Sequence, residues 1–138
     1  MSPARRADDA AIDALLAASH LPPRHAGVRL TVARDGAGDV VGVAGVEPFG
    51  RWGLLRSVAV RPEARGTGVA RRLVAAAEAA SDADVLVLLT TDAAPVFAAL
   101  GYTPTDRADV PADVRTSAQF SGQCPSSAAC LSKRLRPS

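Results

Sequence analysis

Residues 54–80 constrain the fold of this chain more than any other stretch. The segment 54–60 is short and apolar at nearly every position, which is typical of a strand covered on both faces. A turn that holds Gly66 and Gly68 follows. Beyond it, apolar residues recur at helical spacing over residues 69–80, so that one stripe of the predicted helix faces a sheet.

The glycine turn predicts an anion site. Glycines let the backbone approach a ligand closely, and the first N–H groups of a helix have no partner inside the helix. The helix dipole adds positive potential at the same place, so a pyrophosphate group fits there. The alternative interpretation is a purely structural corner between a strand and a helix.

The same turn resembles a known signature, which reads Arg or Gln, two residues, Gly, one residue, and Gly or Ala. It is the acyl-CoA signature of the GCN5-related N-acetyltransferases, the GNAT family. The residues that match it are Arg65, Gly66, Thr67, Gly68, Val69 and Ala70. As in that family, the signature follows an apolar strand ending in Val-Arg-Pro. The resemblance implies acetyl-CoA as cosubstrate and acetyl transfer to a primary amine.

The remaining pattern predicts a mixed α/β (α+β) fold. Further strands are predicted at 2–7, 28–34, 40–47, 84–91 and 128–135 and from Tyr102, with turns at 35–38 and 48–53. Further helices are predicted from Asp8 or Asp9 to near His20, at 90–101 and at 111–116. The crossover helix 69–80 is long enough to place segment 85–89 parallel to segment 54–60.

Length and resemblance together complete the expected architecture. A chain of 138 residues predicts a single domain over residues 1–138. The resemblance implies a central sheet of about six or seven strands with helices on both faces. It also implies that strands 54–60 and 85–89 splay apart and that the pantetheine arm of the cofactor enters the gap. The last residues, 136–138, are expected to fray.

Composition and charge exclude several classes of protein. With 48% hydrophobic and 22% charged residues, the chain is typical of a globular domain. The net charge of +2 is spread along the chain, so no nucleic-acid partner is predicted, although an anionic ligand would be attracted. No apolar run approaches the roughly 20 residues of a membrane helix, and residues 1–9 lack an apolar signal core. We therefore expect a cytoplasmic protein with no membrane association.

Cysteine and histidine usage predicts neither a disulfide framework nor a metal site. Cys124 and Cys130 are expected to be free thiols in a reducing cytosol, and the alternative is that the pair binds arsenite. The sequence has no CxxC motif, no HExxH motif and no cluster of His with acidic residues. The two histidines, His20 and His25, are interpreted as solvated or capping residues rather than as a catalytic base.

The resemblance assigns roles to main-chain groups. The backbone of Val58, Ala59 and Val60 would pair with pantetheine like an added strand, and an N–H near Val58 would face the thioester carbonyl. A fixed donor there stabilises the negative charge that grows on this oxygen during attack. The amides from Arg65 to Ala70 would hold the pyrophosphate.

Acetyl transfer also needs a base, because an alkyl amine with a pKa near 10 is mostly protonated at neutral pH. Glu47 is the candidate, since it ends a predicted strand and shares its parity with Val41 and Val43. The alternative is an exposed carboxylate at a strand end. Glu63 and Glu78 are interpreted as a turn residue and a solvated helix residue.

The chain departs from the family pattern at Phe97. Many relatives have a tyrosine there that can protonate the departing CoA thiolate, and phenylalanine has no proton to give. Its ring could still pack on pantetheine, and Thr90, where relatives often have Asn, could hydrogen-bond the cofactor. Either the thiolate leaves without a dedicated acid, or the domain is a non-catalytic acyl-CoA sensor. Tyr102 is interpreted as a core residue.

A second resemblance, to the short arsenic-resistance N-acetyltransferases, indicates the class of acceptor molecule. These proteins are relatives of the enzymes that acetylate phosphinothricin and arsinothricin. The residues that carry the resemblance are 54–60, 118–120, 124–125 and 127–128. It implies a small, anionic, amino-acid-like amine. Acetylation of a protein amine is an alternative, and a homodimer stays open.

Three residues are candidates for acceptor binding. Arg56 could bind a carboxylate or phosphinate through its planar fork, or it could be a surface arginine. The surface interpretation is favoured more for Arg51 than for Arg56. Ser57 and Thr91 are polar in apolar strands, so they either line the acceptor site or satisfy backbone groups.

Overall fold

Most strands and helices have bounds close to those predicted. The computed structural model describes residues 1–117, 119–120 and 127–136. The described strands are β1 (Ser2–Pro3), β2 (Arg29–Arg34), β3 (Val40–Phe49), β4 (Trp52–Val60), β5 (Val85–Thr90), β6 (Thr103–Pro104) and β7 (Ala129–Arg134). The described helices are α1 (Asp9–Ala18), α2 (Val69–Ala80), α3 (Ala94–Ala99) and α4 (Ala112–Arg115). The strands form a mixed sheet in the order β1-β2-β3-β4-β5-β7-β6, which confirms the predicted fold class.

The chain divides into two compact units. The first unit comprises Met1–Glu47 and Leu55–Ser81, and the second comprises Pro48–Leu54 and Asp82–Ser138. Strands β3 and β4 each contribute residues to both units. Two expectations therefore stay predictions. They are a single domain over residues 1–138 and the splay of strands 54–60 and 85–89.

In the first unit, β2 pairs antiparallel with both β1 and β3. Helix α1 buries Ile12, Leu15 and Leu16. Helix α2 has the predicted bounds, because a glycine turn precedes it and an apolar stripe runs through it. A Cβ on Gly42 of β3 would lie 2.6 Å from Leu73 Cδ1 of α2, so this glycine lets the helix pack close to the strand. The buried stripe of α2 consists of Val69, Leu73, Val74 and Ala77.

In the second unit, Trp52–Leu54 of β4 pair parallel with Val85–Val87 of β5, as the long crossover predicts. Strand β7 pairs antiparallel with β5 and with β6, so the C-terminal segment joins the sheet of its own chain. Arg107 lies with its guanidinium over the Phe120 ring, and its Nη2 donates to the carbonyl of Ala128 at 2.7 Å. The core of this unit contains Leu54, Val87, Leu89, Val110, Val114, Phe120 and Ala128.

Three predicted boundaries are wrong. Strand β3 continues to Phe49 and β4 begins at Trp52, so the turn predicted over residues 48–53 is a tight one around Gly50, whose φ is +65°. The helix predicted over residues 90–101 is limited to α3, because Pro95 lacks an N–H and fits the first helical turn. The edge strand predicted at 2–7 shrinks to β1, since residues 6–8 form a 3-10 turn.

The predicted fraying of the C-terminus is wrong for Arg136. Its Nη1 donates to the carbonyl of Ala83 at 2.6 Å, and its backbone N–H reaches the Asp84 carbonyl at 3.3 Å. Residues 137–138 lie outside the described part of the chain. The longest described helix, α2, has 12 residues, and no described helix has the length and apolarity required to cross a bilayer.

A buried carboxylate ties the start of the chain to β2. Asp8 receives hydrogen bonds from Arg34 Nη1 at 2.9 Å and Nη2 at 2.6 Å, and from the backbone N–H of Arg5 at 2.8 Å. These bonds, above all those from Arg34, lower the pKa of Asp8 from 3.8 to about 2. Asp8 therefore stabilises the fold mainly through this network rather than as the side-chain cap of a helix.

We predict that Asp8→Asn lowers the free energy of unfolding at pH 5–7 and that this loss shrinks at lower pH. The folded-state pKa lies below the unfolded value, so the stabilisation is present above about pH 4 and disappears as the pH falls toward 2. Urea unfolding of both proteins between pH 2 and 7 measures it. Asp82→Asn is the control, because Asp82 is an exposed carboxylate. A loss for Asp8→Asn that did not change with pH would contradict this account.

Candidate functional site

The turn before α2 and the first residues of that helix contain a run of backbone N–H groups without hydrogen-bond acceptors. The N–H of Arg65 bonds to the Pro62 carbonyl at 3.2 Å, and the next bonded amide is that of Arg72, 3.1 Å from the Gly68 carbonyl. We call residues 66–71, which lie between them, the amide turn. Within the described part of the chain, none of its N–H groups has a hydrogen-bond acceptor. Unpaired amides at the start of a helix favour an anion.

The shape of the amide turn is set by two left-handed glycines and by side-chain bonds. Gly66 has φ +79° and Gly68 has φ +81°, conformations that side chains rarely adopt. Arg65 Nε donates to the Val60 carbonyl at 3.2 Å, which ties the turn to the end of β4. The Thr67 hydroxyl donates to the Ala64 carbonyl. These bonds fix the turn and leave its main-chain N–H groups available to a ligand.

Strand β4 is distorted at Ser57. This residue has φ +59°, a left-handed conformation that a non-glycine residue adopts at a cost of about 1–3 kcal/mol. Val58, which follows, is half-buried between buried neighbours. The residue type does not indicate this distortion, since glycine or asparagine would mark such a position and serine does not. The strain lies directly before the amide that the resemblance assigns to the thioester carbonyl.

Two candidate residues of the first unit form an ion pair. Arg56 Nη1 lies 3.0 Å from Glu47 Oε1, and the two side chains are 2% and 14% exposed. Arg56 is therefore no surface arginine, whereas Arg51 is 88% exposed and pairs with Asp84 at 3.0 Å. The sequence alone does not indicate that Glu47 and Arg56 form a pair.

Strand register brings these two residues together. A Cβ on Gly45 would lie 3.2 Å from the Arg56 carbonyl oxygen, so residues 45 and 56 are neighbours on the two strands. Residue 47 is two positions further along β3 on the same face, within reach of a long side chain. Register of this kind depends on the exact position of the turn, which the sequence places only within residues 48–53.

The remaining candidates belong to the second unit. Thr90 ends β5, and its Oγ1 accepts the N–H of Ala93 at 3.0 Å, while Thr91 is exposed. The Phe97 ring meets the Tyr102 ring edge-on, with centroids 5.9 Å apart. Tyr102 is buried, which confirms its interpretation as a core residue. The cofactor roles of Thr90 and Phe97 and the acceptor role of Thr91 stay predictions.

The described residues test the cysteine and metal predictions only in part. Cys130 is a half-buried free thiol, and burial raises its pKa. Cys124 lies outside the described residues, so the prediction that both cysteines are free and the arsenite hypothesis stay predictions. Among residues 1–117, 119–120 and 127–136, no three His, Cys, Asp or Glu side chains are grouped so that they could hold a metal ion.

Comparison with known proteins identifies the family. Residues 26–104, more than half of the chain, match the family model described as acetyltransferase (GNAT) domain. The chain therefore belongs to the GNAT family and is an acetyltransferase domain. A search of curated protein sequences finds no match.

Solved structures show the same fold at low sequence identity. The protein Rv2747 from Mycobacterium tuberculosis, in complex with CoA and NLQ, has a TM-score of 0.79 and 21% identity, with 96% of this chain and 97% of that chain covered. N-acetylglutamate synthase from Neisseria gonorrhoeae, with coenzyme A and N-acetyl-glutamate, has a TM-score of 0.78 and 22% identity over 97% of this chain. This chain spans about a third (34%) of that synthase. Nourseothricin acetyltransferase has a TM-score of 0.69 and 22% identity, covering 97% and 96% of the two chains.

We predict that Gly66→Ala costs about 1–2 kcal/mol of unfolding free energy through backbone strain alone. A Cβ on Gly66 would meet no atom within 4 Å, so no clash contributes. Gly36→Ala is the matched control, because its Cβ is equally free and its φ lies outside the left-handed region. Urea unfolding measures both variants. Equal costs for the two variants would show that the left-handed turn is not required.

Proposed function

We propose that this chain transfers the acetyl group of acetyl-CoA to the primary amine of a small, anionic, amino-acid-like molecule. The observation that carries the proposal is the amide turn, whose unpaired N–H groups suit the diphosphate of CoA. Membership of the GNAT family supports the same cofactor. In this proposal the N–H groups of Gly66, Thr67, Gly68, Val69 and Ala70 hold the diphosphate. The N–H of Arg65, which the resemblance also assigns to the diphosphate, instead donates to the Pro62 carbonyl, so Arg65 supports the turn.

The reaction we propose is direct attack of the neutral amine on the thioester carbonyl. The nitrogen forms a bond to the carbonyl carbon, the C–S bond breaks, and the sulfur leaves as the CoA thiolate. An amide near Val58 would stabilise the negative charge on the carbonyl oxygen. The backbone of Val58, Ala59 and Val60 would pair with pantetheine like an added strand. The distortion at Ser57 supports this assignment, because strained residues cluster at functional sites.

Glu47 would accept the proton that the amine loses. Its carboxylate lies 3.0 Å from Arg56 Nη1 and its side chain is 14% exposed, so a proton can reach it directly or through a water molecule. Phe97 cannot protonate the thiolate, which, with a thiol pKa near 8.5, would leave without a dedicated acid.

The acceptor class rests on two kinds of support. The Neisseria synthase structure contains coenzyme A together with N-acetyl-glutamate, an acetylated amino acid. The sequence resemblance to arsenic-resistance acetyltransferases adds toxic amino-acid analogues such as phosphinothricin and arsinothricin to the candidates.

A non-catalytic acyl-CoA sensor is the second candidate function. It is favoured by one observation, that the ring at position 97 packs against Tyr102 and offers no acidic proton. Tight acetyl-CoA binding without turnover on any amine would support the sensor.

We predict that Glu47→Gln lowers kcat by about 10²–10⁴-fold, the usual contribution of a general base. Release of the CoA thiol from acetyl-CoA, measured across a panel of amino acids and their analogues, gives the rate. Affinity for CoA should not change. The control is Glu63→Gln, which removes an exposed carboxylate in the turn after β4. Unaltered turnover in Glu47→Gln would reject Glu47 as the base.

A further inference from the structure

We infer that Arg56 is a positioning residue, which holds the Glu47 carboxylate in place and does not itself bind the acceptor. This inference rests on the proposed function, because it assumes that Glu47 is the base. It replaces the acceptor-binding role that the sequence suggested for Arg56.

Exposure separates the two side chains of the ion pair. An acceptor that arrives from solvent must touch the side chain that binds it. The Arg56 side chain is 2% exposed, whereas that of Glu47 is 14% exposed. The acceptor amine can therefore approach Glu47, whereas the buried Arg56 side chain offers almost no surface to a molecule arriving from solvent.

The backbone on both sides of the ion pair is closely packed. A Cβ on Gly45, two residues before Glu47, would lie 3.2 Å from the Arg56 carbonyl oxygen and 2.6 Å from Val28 Cγ1. On the other strand, Arg56 immediately precedes the left-handed Ser57. Both partners of the ion pair are thus carried by strands rather than by mobile loops, and sites built on strands hold their geometry well.

The guanidinium suits this task for two reasons. It stays protonated at any physiological pH, so it compensates the carboxylate charge in a place where little water is available. Its planar group also fixes the direction of the N–H that meets Glu47 Oε1, at 3.0 Å. Lysine would supply the charge without the planar geometry.

The two roles of Arg56 predict different kinetics. If Arg56 binds the acceptor, its loss raises KM for acceptors with a carboxylate and leaves their carboxamides unaffected. If Arg56 positions Glu47, its loss lowers kcat for both kinds of acceptor with little change in KM. In the second case, removal of Arg56 from a protein that already lacks the Glu47 carboxylate has no further effect, because the two residues act as one unit.

The test uses the whole chain, acetyl-CoA, and a panel of L-amino acids with their α-carboxamides, from which the fastest pair is chosen. We expect Arg56→Met to lower kcat about 10- to 100-fold on both members of the pair, with KM within about twofold. Arg56→Lys should recover part of the loss, and the double variant with Glu47→Gln should be no slower than Glu47→Gln alone. Arg51→Met, which removes an exposed arginine of the neighbouring turn, is the control with unchanged kinetics.

Several outcomes would overturn the inference. A KM increase confined to the amino acids would show that Arg56 binds the acceptor, and additive losses in the double variant would show that it acts independently of Glu47. Thermal unfolding and CoA affinity identify a variant that does not fold. If Arg56→Met does not fold, the test relies on Arg56→Lys, and a kcat equal to that of the wild-type protein would overturn the requirement for the planar group. Absence of turnover by the wild-type protein on every amine would instead reject the proposed function.

Discussion

The unpaired N–H groups of the amide turn are the constraint on which the rest of this structure depends. Such groups are unfavourable unless water or an anion meets them, and here they stand at the start of a 12-residue helix with its dipole directed at them. Gly66 and Gly68, both in left-handed conformations, set the shape of the turn. Arg65 Nε donates to the carbonyl of Val60, the last residue of β4. Gly42 lets α2 pack close to β3, so the helix that presents the amides is held firmly in the first unit.

Strand β4 links this anion site to the proposed chemistry. The end of the strand adjoins the turn, its middle contains the strained Ser57, and Arg56 next to it pairs with Glu47 of β3. In the proposed reaction, this one strand would carry the amide assigned to the thioester and the side chain inferred to orient the base, and it would end at the turn assigned to the cofactor. The absence of an acidic proton at Phe97 is compatible with this arrangement, since a thiolate is a good leaving group.

The sequence predicted those parts that follow from local chemistry. Helix α2 has its predicted bounds because a glycine turn starts it and an apolar stripe runs through it, and Tyr102 is buried, as its interpretation as a core residue requires. The tightness of the turn at Gly50, the shortness of α3 and the pairing of Glu47 with Arg56 were not predicted, because they depend on strand register and on the place of one proline. The left-handed Ser57 depends on tertiary context and leaves no mark in the residue type.

Calorimetric titration with coenzyme A and two of its fragments tests the central claim most directly. Dephospho-CoA keeps the diphosphate, and pantetheine lacks it. If the amide turn binds the diphosphate, CoA and dephospho-CoA should bind with measurable heat and raise the melting temperature, and pantetheine should bind at least about tenfold more weakly. No heat and no thermal protection with CoA, or equal affinity for pantetheine and dephospho-CoA, would contradict the account.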